Sequence, residues 1–257
     1  MFKRVRWWWL AACAFALPLQ AAEATVAVAS NFAAPMAELA KHFERETGHR
    51  LTLAFGSSGK IFAQIQNGAP YAVFLSADQA KPRALEAAGR VTPRSRFTYA
   101  VGRLVLWSAD PARVDSDATV LRSGAFRKLA LANPRLAPYG EAALQTLTAL
   151  DLVETTRARW VQGENIAQTY QFVSTGNADI GFVALSQVAT DGVISSGSGW
   201  LVPANLHEPI RQDAVLLRRG RFNPAAIALM DYLRTDDARA VMQRFGYSNP
   251  EDYSPGD

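Results

Sequence analysis

Cysteine is almost absent from the 257-residue chain, which has a single copy at Cys13. A lone cysteine excludes an internal disulfide, so the folded protein depends on its hydrophobic core for stability. Hydrophobic residues make up 49% of the sequence, enough in a chain of this length for one large or two smaller domains. The three histidines, His42, His49 and His207, do not have the spacing of a metal site.

Signatures of catalysis and of nucleic-acid binding are also missing. The chain has no G-x-S-x-G nucleophile elbow, no S-x-x-K motif with its usual companions and no Rossmann glycine fingerprint. Lys60 follows Gly56-Ser57-Ser58-Gly59, but a P-loop needs four residues between its glycines and a Ser or Thr after the lysine. The net charge is only +4 and basic residues form no long run. We therefore expect neither an enzyme nor a nucleic-acid-binding protein.

The first 24 residues have the layout of a secretory signal peptide. Basic residues near the start precede a mostly apolar stretch over 7–19, and small residues follow at 20–24. The apolar stretch is too short to span a membrane as a helix. We expect an exported, periplasmic protein that is cleaved near Ala22 to Ala24, where Ala22-Glu23-Ala24 fits an A-x-A site. Cleavage after residue 21 or 22 and lipoprotein processing at Cys13 are the alternatives.

Short apolar runs alternate with helical periodicity along residues 25–250, which predicts an α/β fold. Thr25 to Ala29 is typical of a buried parallel strand, and apolar residues then recur at helical spacing from Phe32 to Phe43. The stretch from Phe97 to Trp107 is too long for a routine strand of about five or six residues. We interpret it as one strand that crosses between two lobes, with Gly102 as its flex point.

Polar turns follow the first two predicted strands. Ser30-Asn31 comes after the strand at 25–29, and Gly56-Ser57-Ser58-Gly59 comes after the strand at 51–55. Ligands of open α/β folds bind at the carboxyl ends of parallel strands. The first amides of a helix lack intrahelical acceptors and that end is partly positive, so each turn suits an anion. A single turn of this kind, taken alone, is more often only an N-cap.

Seven short motifs in the chain follow one another in a characteristic order. They are Val28–Phe32, Gly56–Gly59, Asn67–Tyr71, Phe74–Asp78, Phe97–Trp107, Ala137–Gly140 and Gly181–Leu185. Through this series the chain resembles the periplasmic molybdate-binding proteins of ABC importers, over essentially all of residues 25–250. The motif at 56–59 is weak evidence alone, whereas the whole series is specific.

This resemblance implies a type II periplasmic-binding-protein fold, in which two α/β lobes enclose a ligand cleft. We expect residues 1–24 to be the signal peptide, residues 25–103 and 206–257 to form lobe 1, and residues 104–205 to form lobe 2. The implied function is the capture of molybdate or tungstate by a monomeric receptor. Such a receptor needs no cofactor and delivers its ligand to a membrane ABC permease.

The resemblance also implies which residues bind the oxyanion. Ser30, Asn31 and Ser58 match the ligand residues of the first lobe, and Tyr139 and the backbone amide of Ile166 match those of the second. All five would bind through hydrogen bonds, with no direct ligation of the metal by the protein. A receptor for sulfate or another oxyanion is the alternative, and an exported serine hydrolase with Ser58 as its nucleophile is a further one.

The chemistry of the ligand agrees with these residue types. Molybdate is a fully deprotonated dianion at neutral pH, so every contact to it can be a hydrogen-bond donor. Hydrogen phosphate also needs an acceptor for its proton, and no acidic residue lies in Ser30-Asn31 or in Gly56–Gly59. The two turns therefore disfavour phosphate, but they do not separate molybdate from sulfate.

Overall fold

The structure, a computed structural model, describes residues 21–253, so most of the predicted signal peptide lies outside the described residues. Its first half contains β1 (Glu23–Ala29), α1 (Ala33–Thr47), β2 (Arg50–Gly56), α2 (Ser58–Gln66), β3 (Val73–Leu75), α3 (Ala80–Ala87), β4 (Phe97–Gly102), β5 (Leu104–Ser108), α4 (Thr119–Ser123) and β6 (Leu129–Ala132). Its second half contains α5 (Pro138–Ala149), α6 (Val153–Thr156), β7 (Trp160–Gly163), α7 (Ile166–Ser174), β8 (Ile180–Ala184), β9 (Ala189–Thr190), β10 (Val193–Ile194), β11 (Ser198–Leu201), β12 (Ile210–Leu216), α8 (Pro224–Tyr232) and α9 (Asp236–Arg244).

The first five-stranded sheet contains the first four strands and the last strand of the described chain. Its order is β2-β1-β3-β12-β4, with β1 parallel to β2 and β3, and β12 antiparallel to β3 and β4. α1, α8 and α9 cover one face of this sheet, and α2 and α3 cover the other. β1 is therefore buried on both faces, which explains its continuous apolar sequence.

The second five-stranded sheet is built from the intervening residues. Its order is β11-β5-β8-β6-β7, with β6 parallel to β7 and β8, and β5 antiparallel to β8 and β11. α5 packs on one face and α7 on the other. The predicted α/β class is confirmed, while the lobe boundaries at 103/104 and 205/206 stay a prediction. Within residues 21–253, no helix combines the length and apolar character needed to cross a membrane.

The interpretation of Phe97 to Trp107 as a single strand is wrong. Arg103 separates β4, at the edge of the first sheet, from β5 in the second sheet. Gly102 does not have a positive φ, so it is not a left-handed turn. A Cβ at Gly102 would lie only 2.0 Å from the hydroxyl oxygen of Tyr139. The close approach of this tyrosine, rather than flexibility, therefore requires the glycine.

The first strand begins before the end of the predicted signal peptide. β1 starts at Glu23, and Ala24 is only 1% exposed. The carbonyl of Ala22 accepts a 2.9 Å hydrogen bond from the N–H of Arg50, and the N–H of Ala22 donates to His49 Nδ1 at 3.2 Å. Cleavage after Ala24 would remove all of these contacts. Cleavage after residue 21 would keep them.

We expect a mature chain that begins at Ala22 to be more stable than one that begins at Thr25. The shorter chain loses backbone pairing at the start of β1 and the buried side chain of Ala24. Together these are worth about 1–3 kcal/mol of unfolding free energy. Urea unfolding of the two purified chains measures the difference, and equal stabilities would show that residues 22–24 do not support the fold.

Candidate functional site

A small cavity of about 10 Å³ lies between the two sheets. Ser30 and Asn31 follow β1, Ser58 opens α2, Tyr139 lies in the first turn of α5, and Ile166 opens α7. All five residues of the predicted site line this cavity. The fold brings them together because each follows the carboxyl end of a parallel strand, two in the first sheet and two in the second.

The start of α7 offers a backbone donor to the cavity. The side chain of Asn165 caps this helix by accepting from the N–H groups of Ala167 and Gln168 at 3.0 and 3.1 Å. The preceding N–H, that of Ile166, has no hydrogen-bond acceptor among the described residues. The helix dipole adds partial positive charge at this end. Ile166 therefore presents an unpaired N–H that suits an anion.

The two serines at the start of α2 have different roles. Ser57 is the N-cap, and its Oγ accepts from the N–H of Lys60 at 3.4 Å. Ser58 Oγ accepts from the N–H of Ala77 at 2.9 Å, so its own proton remains to be donated. The hydroxyl of Ser30, by contrast, makes no hydrogen bond within residues 21–253. Ser30, Ser57 and Ser58 all line the first-sheet side of the cavity, and each has a hydroxyl proton that no protein group accepts in the described chain; Ser57 differs in that it also caps α2.

Tyr139 supplies a further hydroxyl, from the side of the second sheet. Its side chain is only 1% exposed, and its oxygen accepts a 3.2 Å hydrogen bond from Gln212 Nε2. Burial raises the pKa of Tyr139 well above its usual range, and the neighbouring Tyr247 and Tyr99 raise that pKa further. The Tyr139 hydroxyl therefore keeps its proton at neutral pH and can act as a donor.

Protein partners already occupy the side chain of Asn31. Its Nδ2 donates to Gln212 Oε1 and to Tyr247 Oη, both at 2.9 Å. The backbone carbonyl oxygen of Asn31 accepts from the hydroxyls of Ser186 and Tyr247 at 2.8 and 2.9 Å. Both hydrogens of the side-chain amide are used in this arrangement. The donor that Asn31 can offer to the cavity is therefore its backbone N–H.

A buried cluster behind the cavity was not predicted from the sequence. It consists of Gln212, Tyr99 and Tyr247. All three are less than 5% exposed, and Gln212 Oε1 also accepts from the Tyr99 hydroxyl at 2.9 Å. Gln212 carries little signal in the sequence, since it lies between Arg211 and Asp213 in β12 and does not stand out as a lone polar residue. The two tyrosines carry little signal either, because tyrosine is common in strands and at the margins of a core.

No charged side chain of the described chain lines the cavity. Asp213, the residue after Gln212 in β12, is completely buried. It forms an ion pair with Arg96 at 2.9 Å and does not line the cavity. Lys60 is the third residue of α2 and forms a half-exposed ion pair with Glu164 at 2.8 Å. The cavity wall is thus neutral and rich in donors, and it fits a small anion that carries no proton.

Contacts between the lobes lie beside the cavity. The N–H of Gly59 donates to the carbonyl of Leu136 at 2.8 Å, and the ion pair of Lys60 with Glu164 spans the same gap. A Cβ at Gly59 would lie 2.9 Å from the Cα of Leu136, so this approach requires glycine. The structure therefore has the two lobes in contact around the cavity, in a closed arrangement.

A family model described as "Bacterial extracellular solute-binding protein" matches residues 24–248. The chain belongs to this family. Over 238 residues it is 55% identical to the molybdate-binding protein ModA of Azotobacter vinelandii, covering 93% of both chains. It is also 47% identical to ModA of Rhodobacter capsulatus, covering 90% of both chains.

The fold of this solute-binding protein is similar to a solved structure of the same kind. The periplasmic molybdate-binding protein of Azotobacter vinelandii superimposes with a TM-score of 0.86 and 41% identity, covering 88% of this chain and 99% of that one. The predicted fold, two α/β lobes of the type II periplasmic-binding-protein class with a cleft between them, is therefore confirmed.

We expect Tyr139 to stay protonated through the ordinary titration range of tyrosine, around pH 10. Because its pKa is raised, the neutral donor persists to higher pH. Titration of phenolate absorbance in the wild-type protein and in Tyr139→Phe measures this directly. The two curves should coincide up to about pH 10.5, since the tyrosine that is lost does not ionise in that range. A deficit of one phenolate near pH 10 in the variant would contradict the raised pKa.

Proposed function

We propose that this protein is a periplasmic receptor that binds molybdate, or tungstate, between its two lobes and delivers it to the permease of an ABC importer. The observation that carries the proposal is the cavity wall, which combines four hydroxyls and the starts of three α-helices with no charged side chain among the described residues. The high identity to molybdate-binding proteins from two organisms supports the same ligand.

The proposed ligand set follows from the direction of each hydrogen bond. Ser30, Ser58 and Tyr139 have hydroxyl protons to give, and Ile166 and Asn31 offer backbone N–H groups. A dianion without a proton accepts from all of them, because it has lone pairs on every oxygen. The metal atom would be held only through its oxygens, with no side chain ligating it. A neutral wall also suits a ligand that must be released later.

Lobe closure completes the proposed site. Ser30, Asn31 and Ser58 lie on the first-sheet side, whereas Tyr139 and Ile166 lie on the second-sheet side. An oxyanion can contact both groups only when the lobes meet, as they do at Gly59 and Leu136. The ligand thus favours the closed state because it has more donors there. We infer that the receptor acts as a monomer, since both halves of the site come from one chain.

The competing functions receive less support. A serine hydrolase would need a base beside Ser58, but none of the three histidines lines the cavity, and the Ser58 oxygen is engaged by the N–H of Ala77. Hydrogen phosphate would need an acceptor, and no carboxylate lines the cavity of the described chain. Sulfate, also a dianion without a proton at neutral pH, is compatible with the same donors and remains the second candidate.

A thermal-shift panel of molybdate, tungstate, sulfate and phosphate tests the ligand. At 100 times its dissociation constant, a ligand that binds only the folded state adds about 2.7 kcal/mol of stability. For a protein of this size that raises the melting temperature by roughly 5–10 °C. We expect this shift with molybdate and tungstate, a smaller one with sulfate and none with phosphate. A shift with sulfate alone would make the protein a sulfate receptor.

Exchange of each of the adjacent serines for alanine tests the assignment of the donor in α2. Ser58→Ala removes a proposed ligand hydroxyl, and we expect molybdate affinity to fall about tenfold or more. Ser57→Ala is the matched comparison: Ser57 also lines the cavity but is the cap of α2, so we expect a loss of about 0.5–2 kcal/mol of stability and a smaller loss of affinity than in Ser58→Ala. Calorimetric titration gives both affinities. Equal affinity losses in the two variants would contradict the separate roles.

A further inference from the structure

Gln212 makes more contacts to the proposed ligand residues than any role in the sheet requires. It lies in β12 and is completely buried. Its Oε1 accepts from Asn31 Nδ2 and from the Tyr99 hydroxyl, each at 2.9 Å, and its Nε2 donates to the Tyr139 hydroxyl at 3.2 Å. One side chain of the first sheet therefore touches proposed ligand residues on both sides of the cavity.

The backbone around Gln212 has a local irregularity. In the pairing of β12 with β4, Gln212 lies opposite Ala100 and Asp213 lies opposite Thr98, so Tyr99 is the extra residue. Such a bulge changes the direction of the side chains next to it. Here the hydroxyl of Tyr99 meets the oxygen of Gln212. The bulge thus contributes to the position of the Gln212 amide.

We propose that Gln212 is a positioning residue that aims the hydroxyl proton of Tyr139 at the bound oxyanion. This inference rests on the proposed function. The Nε2 group of Gln212 donates to the Tyr139 oxygen, so that oxygen acts as an acceptor towards Gln212 and its own proton is free for the ligand. Without Gln212, the buried hydroxyl of Tyr139 could turn its proton towards another acceptor.

The orientation of the Gln212 amide is itself fixed by its other partners. Asn31 and Tyr99 both present hydrogens to Oε1, and this places the oxygen towards them and the nitrogen towards Tyr139. An amide is the neutral side chain that accepts at one atom and donates two hydrogens at the next. Methionine has a similar length and is the closest apolar replacement, but it cannot donate.

Gly102 supports the same arrangement from the neighbouring strand. A Cβ at this position would lie 2.0 Å from the Tyr139 oxygen and 2.6 Å from Gln212 Nε2. The hydrogen bond between Tyr139 and Gln212 therefore lies directly against the backbone of Gly102, where no side chain fits. Gly102 leaves space for the Tyr139 hydroxyl and Gln212 donates a hydrogen bond to it. Both interactions occur where the chain passes from β4 to β5.

A double-mutant cycle tests the proposal. Molybdate affinity is measured by calorimetry for the wild-type protein, Gln212→Met, Tyr139→Phe and the double variant. We expect Gln212→Met to weaken binding about tenfold in the wild-type background, by loss of one directed hydrogen bond. In the Tyr139→Phe background we expect a loss of less than about threefold, because the hydroxyl that Gln212 aims is gone. Equal losses in both backgrounds would overturn the proposal.

The cycle distinguishes positioning from a role in stability alone. A structural role of Gln212 would lower the unfolding free energy of the ligand-free protein and leave affinity unchanged, and that result would overturn the proposal. Tyr232→Phe is the control, because the buried Tyr232 hydroxyl has no hydrogen-bond partner in the described chain and does not line the cavity. We expect its molybdate affinity to equal that of the wild-type protein.

A second variant covers the case in which Gln212→Met does not fold. Gly102→Ala keeps the Gln212 side chain but introduces a Cβ that displaces the Tyr139 hydroxyl and Gln212 Nε2 from their hydrogen bond. We expect a comparable loss of affinity that largely disappears in the Tyr139→Phe background, and an undiminished loss there would contradict the proposal. If the wild-type protein binds sulfate instead, the cycle is run with sulfate and only the ligand assignment fails. Wild-type protein that binds none of the oxyanions overturns both proposals.

Discussion

The structure depends on one constraint: hydrogen-bond donors that face a buried cavity have no acceptor within the fold. Each such group costs about 1–3 kcal/mol relative to the solvated state. The protein can hold the N–H of Ile166 and the hydroxyl of Ser58 in this position only because the rest of the structure fixes them. Asn165 caps the remaining amides of α7, and the N–H of Ala77 holds the Ser58 oxygen. The site is therefore as rigid as the strands and helices that carry it.

The α/β architecture supplies this rigidity twice. In each sheet, parallel strands end at the cavity and helices begin there, so neutral peptide groups and helix dipoles provide positive potential without lysine or arginine. A charged wall would bind an anion more strongly in a low-dielectric site, but it would also attract anions of every kind and retain them. In the proposed ligand set the donors are divided between the two lobes, so opening would remove the contacts of one lobe at once.

Local sequence predicted the parts of the site that depend on local structure. The turns at Ser30-Asn31 and at 56–59 follow apolar strands, and their positions at helix starts could be worked out from periodicity. The different roles of Ser57 and Ser58 do not follow from periodicity, because the partner of Ser58 is the N–H of Ala77 in a distant loop; only the family resemblance singled out Ser58. Gln212 was missed for the same reason, since its contacts join residues far apart in the chain. The break between β4 and β5 was missed because both halves are equally apolar, and only the two separate sheets reveal it.

Selectivity for one oxyanion over another then has two separate physical sources. The direction of each donor decides whether the ligand must be free of protons, and the buried contacts of Asn31, Gln212 and Tyr139 help to set that direction. The size of the cavity decides between dianions of different radius, and it depends on how far the lobes approach. How closely the lobes approach is limited at Gly59 and Leu136, where two backbone segments are in contact. Backbone atoms shift less readily than side chains to relieve such a contact. Changes in the donor cluster should therefore affect all dianions alike, whereas changes at the backbone contact should alter the preference among them.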